Sequence, residues 1–242
     1  MSDDAAIPAA TLILVRERPS APPELLMVER AAEMTFAGGA MVFPGGRIDD
    51  ADRALGDEAA PKVAAIRETL EEVAIPVAIK PLPSREQSLQ LQRELIADRP
   101  LAEVIDAGTL RLDALTPFAR WVPKFHAKRR FDTLFFLARA PEGDWRPNTI
   151  PGECAGAEWI TAAEVLDRDR AGAVQLIFPT RRTLERLAQH DSFDAMIQDA
   201  LAHSLDPVTP WVEERDGQRF ITIPEGIGYP ITQEKLEGLW RG

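Results

Sequence analysis

Strand and helix signals interleave along this 242-residue sequence, and the class they predict is α/β or α+β. Three observations carry that expectation. Residues 9–15 (A-A-T-L-I-L-V) and 24–28 (E-L-L-M-V) are short apolar runs separated by a proline-rich turn, the pattern of two strands. From Pro61 the period changes: proline suits the first turn of a helix, and Val63, Ile66 and Leu70 recur at helical spacing as a buried stripe. Residues 116–122 and 131–138 (F-D-T-L-F-F-L-A) then return to strand character.

The remaining elements follow in order. Residues 77–79 read as a further short strand. Residues 84–107 carry a helical pattern interrupted at Pro100, which predicts two helices, because proline removes a donor and clashes with the preceding turn. Thr161-Ala162-Ala163-Glu164 is a capping box and sets a helix start at Thr161. Thr180 and Ser192 are further N-cap candidates. Asp216-Gly217, within residues 211–223, predicts a hairpin. The chain reads as one domain over 1–242, with a helical insertion at 81–115 and a C-terminal extension at 180–242.

Composition narrows the function classes. Hydrophobic residues make up 45% and charged residues 28%, ordinary for a globular protein, and the length permits a sizeable core. The net charge of −11 argues against an extended surface for a nucleic acid polymer, though not against one small phosphorylated ligand. No apolar run is long enough for a membrane span, and the acidic start M-S-D-D-A-A lacks a signal-peptide pattern. Cys154 is the only cysteine, so no internal disulfide forms and a cytoplasmic home is expected.

The most informative stretch is residues 65–75, A-I-R-E-T-L-E-E-V-A-I. Glu68, Glu71 and Glu72 stand at i, i+3 and i+4, which puts three carboxylates on one helical face. Such like charges repel unless something offsets them. Most neighbouring glutamates on helices are simply solvated, but a hard cation such as Mg²⁺ or Mn²⁺ takes oxygen ligands and bridges carboxylates to phosphates. Arg67, beside Glu68 and four residues before Glu71, is placed to orient those carboxylates. Upstream lies Val42-Phe43-Pro44-Gly45-Gly46-Arg47, where adjacent glycines let main-chain N–H groups approach a ligand closely.

Together these segments resemble the Nudix hydrolase family, whose box is G-x5-E-x7-R-E-U-x-E-E-x-G-U, with U a bulky apolar residue. Gly46 matches the opening glycine; Arg67-Glu68, Glu71-Glu72 and Ile75 match the second half. The stretch between Gly46 and Arg67 is longer than the box allows, so the loop carries an insertion. Counted back from Arg67, the first glutamate of the box falls at Ala59, with Glu58 one position off. Thr69 fills an apolar slot, and Ala74 replaces the glycine after the helix, which suits a C-cap that need not be left-handed. R-F-D-T-L-F-F-L-A and F-P-T-R-R-T-L-E-R-L-A further resemble a branch that includes peroxisomal coenzyme A diphosphatases. Leu26, Arg30, Ala31, Gly39 and Phe43 to Gly46 follow that branch's signature; Met27, Val28 and Thr35 depart from it, Thr35 standing where the signature has arginine.

The resemblance implies an α/β/α sandwich around a mixed sheet and metal-assisted hydrolysis of a diphosphate. It implies that Glu68, Glu71 and Glu72 hold Mg²⁺ or Mn²⁺, that Arg67 orients them, and that a loop carboxylate adds a base or ligand. Glu153 is the candidate for that last role, with Glu158 second. Arg30, Gly45 and Gly46 are the substrate-contact candidates. Lys124, Lys128, Arg129 and Arg130 are candidates for a remote phosphate, and residues 34–36 for an apolar acyl or pantetheine pocket. His126 and Cys154 have no partner pattern that suggests chemistry. The expected substrate is coenzyme A or acyl-CoA. The alternatives are another nucleoside diphosphate derivative such as ADP-ribose, NADH or a dinucleotide, or a catalytically silent binding protein. Dimers are common among such relatives, so a homodimer is a further expectation.

Overall fold

A computed structural model of the chain describes residues 6–32, 37–123, 130–150, 152 and 154–236. Residues 34–36, Lys124, His126, Lys128, Arg129 and Glu153, all singled out above, lie outside the described residues.

One long strand organises the main sheet. β1 (Ile7–Arg18) runs antiparallel to β2 (Ala21–Arg30) along its second half, with Val15 opposite Leu25. Its first half runs antiparallel to β4 (Gly45–Arg47), with Ala10 opposite Gly46. Along its other edge lies the parallel β6 (Phe131–Arg139), in register from Ile7 against Phe131 to Val15 against Arg139. β3 (Met41–Val42) and β7 (Cys154–Thr161) pair with β2, and β5 (Thr116–Trp121) pairs with β6, making a mixed seven-stranded sheet.

Both faces of this sheet are covered, which is why its strands read as continuous apolar runs rather than alternating ones. Ala10, Leu12, Leu14, Leu26 and Val28 pack on one face against α1 (Ala60–Val73), whose buried stripe is Val63, Ile66 and Leu70 as predicted. Ile13, Val15, Leu25 and Met27 pack on the other, against α4 (Ala162–Arg170), α5 (Phe178–Leu187) and α6 (Phe193–Ala202). The result is the α/β/α sandwich with a mixed sheet that the resemblance implies. Leu12 and Leu14 are wholly buried, and truncating either to alanine would cost about 2–5 kcal/mol.

Outside the sandwich, α2 (Arg85–Ile96) starts at a capping box of Ser84 and Gln87 and packs on α1; α3 (Leu101–Val104) follows Pro100. The Thr161 and Ser192 caps form as expected. β8 (Trp211–Arg215) and β9 (Gln218–Thr222) make the predicted hairpin, with Asp216 and Gly217 both at positive φ, and β10 (Gln233–Lys235) adds a third strand.

Three local expectations are corrected. Residues 77–79 are not a strand: Ala78 sits at positive φ between Pro76 and Pro81, and only Ile79 bridges, to Leu110. Thr180 does not cap α5, which starts two residues earlier because Pro179, lacking an N–H, fits the first turn. Ala74 does take the left-handed conformation, φ 55° and ψ 31°, donating its N–H to the Leu70 carbonyl at 2.9 Å. The position therefore keeps the geometry of a glycine cap while carrying a Cβ.

Candidate functional site

The site forms where β4 crosses the face of α1. Gly45 has φ +155°, and a Cβ there would stand 2.4 Å from the Ala10 carbonyl oxygen, so only glycine fits against β1. Its N–H donates to Glu72 Oε2 at 3.2 Å. A Cβ on Gly46 would stand 2.4 Å from Glu68 Oε1. The two glycines are thus fixed by the carboxylate helix on one side and the sheet on the other.

Arg67 is buried and sits at the centre of the charges. Its Nη1 donates to Glu68 Oε1 at 2.9 Å and to Glu71 Oε2 at 3.0 Å. Its Nη2 donates to the Arg47 carbonyl at 2.9 Å, which ties the helix to the end of the glycine strand. Burial pulls the arginine pKa down, but the Asp52 hydrogen bond and the charges of Glu68, Glu71 and Asp52 more than offset that and hold it above the ordinary value. The opposite holds at Glu68, where burial pushes the carboxyl up and Arg67 only partly pulls it back. A cation beside Glu68 would offset that burial penalty, and three carboxylates are the oxygen donors a hard divalent ion takes. The residues present therefore suit Mg²⁺ or Mn²⁺.

They are not arranged as a ready cage. Among the described residues, no three Asp, Glu, His or Cys side chains are gathered so that they would hold an ion as they stand. The expected trio is instead divided: Glu68 and Glu71 turn to Arg67, and Glu72 to the Gly45 N–H. The repulsion of three like charges one turn apart is offset by donors the chain itself supplies.

Asp52 is the residue that sequence reasoning missed. It is buried, its Oδ1 accepts from Arg67 Nε and its Oδ2 from Arg67 Nη2, both at 2.9 Å, and its Oδ2 also accepts from the Asp49 N–H. Ala59, where counting back from Arg67 puts the first acid of the box, has no carboxylate to offer Arg67. Glu58 is exposed, and Asp52 holds the arginine. The spacing held a signal: Asp52 stands six residues after Gly46, the offset of the acid in G-x5-E. Gln92 on α2 was also missed. Its Nε2 donates to the Glu71 carbonyl at 2.9 Å and the Asn148 carbonyl at 2.7 Å, while the Asn148 N–H donates to the Val73 carbonyl, so the last turn of α1 is clamped. Nothing in the run Q-S-L-Q-L-Q distinguishes Gln92 from Gln90.

The other candidates are placed as follows. Arg30 ends β2 opposite Cys154, and its N–H donates to the Ala40 carbonyl. Glu158 lies opposite Met27, on the sheet face away from α1, and pairs with Arg168 at 2.5 Å, so the structure does not bring it to the glutamates. Cys154 is buried in the α1-side core. No helix among the described residues is long and apolar enough to cross a membrane.

Residues 6–99, from β1 through α2, match the family model described as NUDIX domain. A nudix hydrolase of Caenorhabditis elegans is 27% identical over 202 residues, covering 82% of this chain and 66% of its own length. The Nudix hydrolases NudL of Cronobacter sakazakii and Escherichia coli K12 are 46% and 43% identical over 68 residues, 28% of this chain. The chain thus spans just under two thirds of the worm relative and about a third of the bacterial ones. The crystal structure of a NUDIX hydrolase from Alicyclobacillus acidocaldarius superimposes with a TM-score of 0.67 at 25% identity, over 81% of this chain and 97% of that one.

Proposed function

We propose, from the site inside residues 6–99, which match the NUDIX domain model, that this chain is a divalent-metal-dependent hydrolase of a diphosphate linkage. The observation that carries the reading is the buried Arg67, held by Asp52 and gripping Glu68 and Glu71 beside Gly45-Gly46.

Glu68, Glu71 and Glu72 would hold Mg²⁺ or Mn²⁺, which when bound supplies charge neutralisation to the diphosphate and lowers the pKa of an attacking water. Arg67 fixes two of those carboxylates in orientation. Gly45 and Gly46 keep the backbone close enough for phosphate oxygens to approach the helix face. Glu153 is proposed as the additional base or ligand and Arg30 as a substrate contact.

The substrate favoured is coenzyme A or acyl-CoA, supported by the partial signature at Leu26, Arg30, Ala31, Gly39 and Phe43 to Gly46. Other nucleoside diphosphate derivatives are the second reading, favoured by Thr35 standing where that signature has arginine. The unit is read as a single domain with 81–115 and 180–242 as additions to the sandwich. Hydrolysis with Mg²⁺ or Mn²⁺ should be measured across coenzyme A, acyl-CoA, ADP-ribose, NADH and diadenosine polyphosphates. Release of phosphopantetheine and adenosine 3′,5′-bisphosphate supports the first reading, and AMP from ADP-ribose the second. If no diphosphate is cleaved with either metal, the hydrolase reading fails.

A further inference from the structure

A cavity of about 310 Å³ opens beside the start of α1, lined by Pro8 and Ala9 of β1, Ile48, Arg53, Asp57, Ala60 and Pro61, with Arg120 of β5 and Asp132 and Leu134 of β6. Its floor is apolar and its polar walls are two guanidinium–carboxylate pairs. Arg120 Nε and Nη2 donate to Asp132 Oδ1 and Oδ2 at 2.7 and 2.6 Å, and Arg53 Nη1 donates to Asp57 Oδ1 at 2.7 Å. Arg53, Asp57, Ala60 and Pro61 all come from the stretch between Asp52 and Arg67, where the box is lengthened, so the extra residues build one wall.

The chemistry selects against an anion. Each guanidinium already carries a carboxylate, so the four charged groups sum to zero. The backbone N–H groups of Ala59 and Ala60 are taken by the Gly56 carbonyl, those of Lys62 and Val63 by the Ala59 carbonyl, and Pro61 has none. No donor at the helix start is left for a phosphate. What the walls offer is an apolar surface flanked by both donors and acceptors without net charge. A neutral heteroaromatic ring fits that: its face lies on apolar side chains or a guanidinium plane, its ring nitrogens accept, and an exocyclic amine donates. The volume is at the low end of the ~300–1,000 Å³ of small-molecule sites, enough for a base with its sugar and too small for a dinucleotide.

Position links this cavity to the chemistry. Ala60 stands seven residues before Arg67 on one helix, about 10 Å along its axis. Arg53 follows Asp52, and Ile48 follows Arg47, the two residues that hold Arg67. We infer that the cavity seats the heterocyclic base of the substrate while the diphosphate lies at the glutamate face, an assignment that rests on the hydrolase reading above.

The test uses the full chain and adenosine, which has the base and no phosphate. Binding is measured by titration calorimetry for the wild type, Arg120→Ala, Arg53→Ala and, as a surface control, Arg146→Ala, with thermal melts to show that each variant is folded. Adenosine should bind, Arg120→Ala and Arg53→Ala should each weaken it about tenfold, and Arg146→Ala should leave it unchanged. Ribose 5-phosphate, which has the phosphate and no base, should not compete. In hydrolysis, the two cavity variants should raise KM for an adenosine-containing diphosphate more than they lower kcat. Adenosine that does not bind, or binds all four proteins equally, overturns the assignment. Adenosine binding that depends on Arg120 and Arg53 in a protein that cleaves no diphosphate supports the cavity and removes the hydrolase reading alone.

Discussion

Replacing Asp52 with asparagine keeps the shape of the side chain and removes the charge against which Arg67 is buried. The native pair is bidentate at 2.9 Å, and both residues are almost wholly buried. Removing one partner of such a pair typically costs about 3–5 kcal/mol, because the other charge stays buried. Arg67 keeps Glu68, Glu71 and the Arg47 carbonyl, so the cost falls at or just below that range, about 2–3 kcal/mol. For a chain of this length that is a fall in Tm of roughly 4–12 °C. The functional loss should exceed the stability loss, since a reoriented Arg67 drags two carboxylates with it, and a misplacement of about 1 Å can cost on the order of a hundredfold in rate. Urea unfolding gives the first quantity; metal-dependent hydrolysis by the folded variant gives the second. Asp52→Glu should recover part of both, losing about 1–3 kcal/mol to overpacking at a site with no spare room. If Asp52→Asn unfolds within 0.5 kcal/mol of wild type, a margin typical of ordinary surface substitutions, and hydrolyses at the same rate, Asp52 does not hold the site.

Other substitutions probe separate links. Ala74→Gly relieves a left-handed alanine and should raise unfolding free energy by about 0.5–1 kcal/mol in denaturant titrations, the strain relieved outweighing the entropy a glycine adds to the unfolded chain. Gly46→Ala puts a methyl 2.4 Å from the Glu68 carboxylate, which must swing away. Hydrolysis should fall at least about tenfold while circular dichroism is unchanged, because the atom displaced is the end of a flexible side chain. Gly45→Ala meets backbone instead, at the Ala10 carbonyl, and should lower Tm markedly. Glu185 on α5 gives a pH signature: burial pushes its carboxyl from 4.5 up to about 7, Arg182 opposing and Glu234 adding to the rise. Between those values the folded chain holds a proton that the unfolded chain has lost. Stability should therefore fall as pH rises from about 4.5 to about 7 and then level off, by about 1–2 kcal/mol after allowance for partial solvent access. Unfolding measured against pH should show a flatter slope in Glu185→Gln, and an unchanged slope would refute the assignment.

What was legible in the sequence is what local chemistry determines. The apolar runs of β1 and β2, the stripe of α1 and the Thr161 and Ser192 caps each depend on residues within a few positions of one another, and each appears where expected. The glutamate face was legible for the same reason. The conformations of Ala74 and Ala78 were not, because tertiary packing holds both alanines at a φ their own side chains disfavour. Nor was the role of Gln92, whose partners Glu71 and Asn148 lie 21 and 56 residues away in sequence. Asp52 was missed for a different reason: the resemblance offers two anchors, and counting back from Arg67 rather than forward from Gly46 lands on Ala59.

The segment that links Gly46 to Arg67 is held at both ends. Gly46 is locked to β1 by strand pairing, and Asp52 follows it at the spacing of the box, with its own carboxylate capping the Asp49 N–H. Arg67 is locked on α1 by the helix itself. Fourteen residues separate Asp52 from Arg67, and residues 60–66 already belong to α1, so the link between the two fixed segments is residues 53–59. Doubling the length of a loop costs only about 0.6 kcal/mol in closure entropy. The charged hydrogen bonds it closes are worth about 1.5–3 kcal/mol each. A link of this length is therefore closed without disturbing the carboxylates. Arg53 and Asp57 of that link, with Ala60 and Pro61 of the first turn of α1, make one wall of the cavity beside the site.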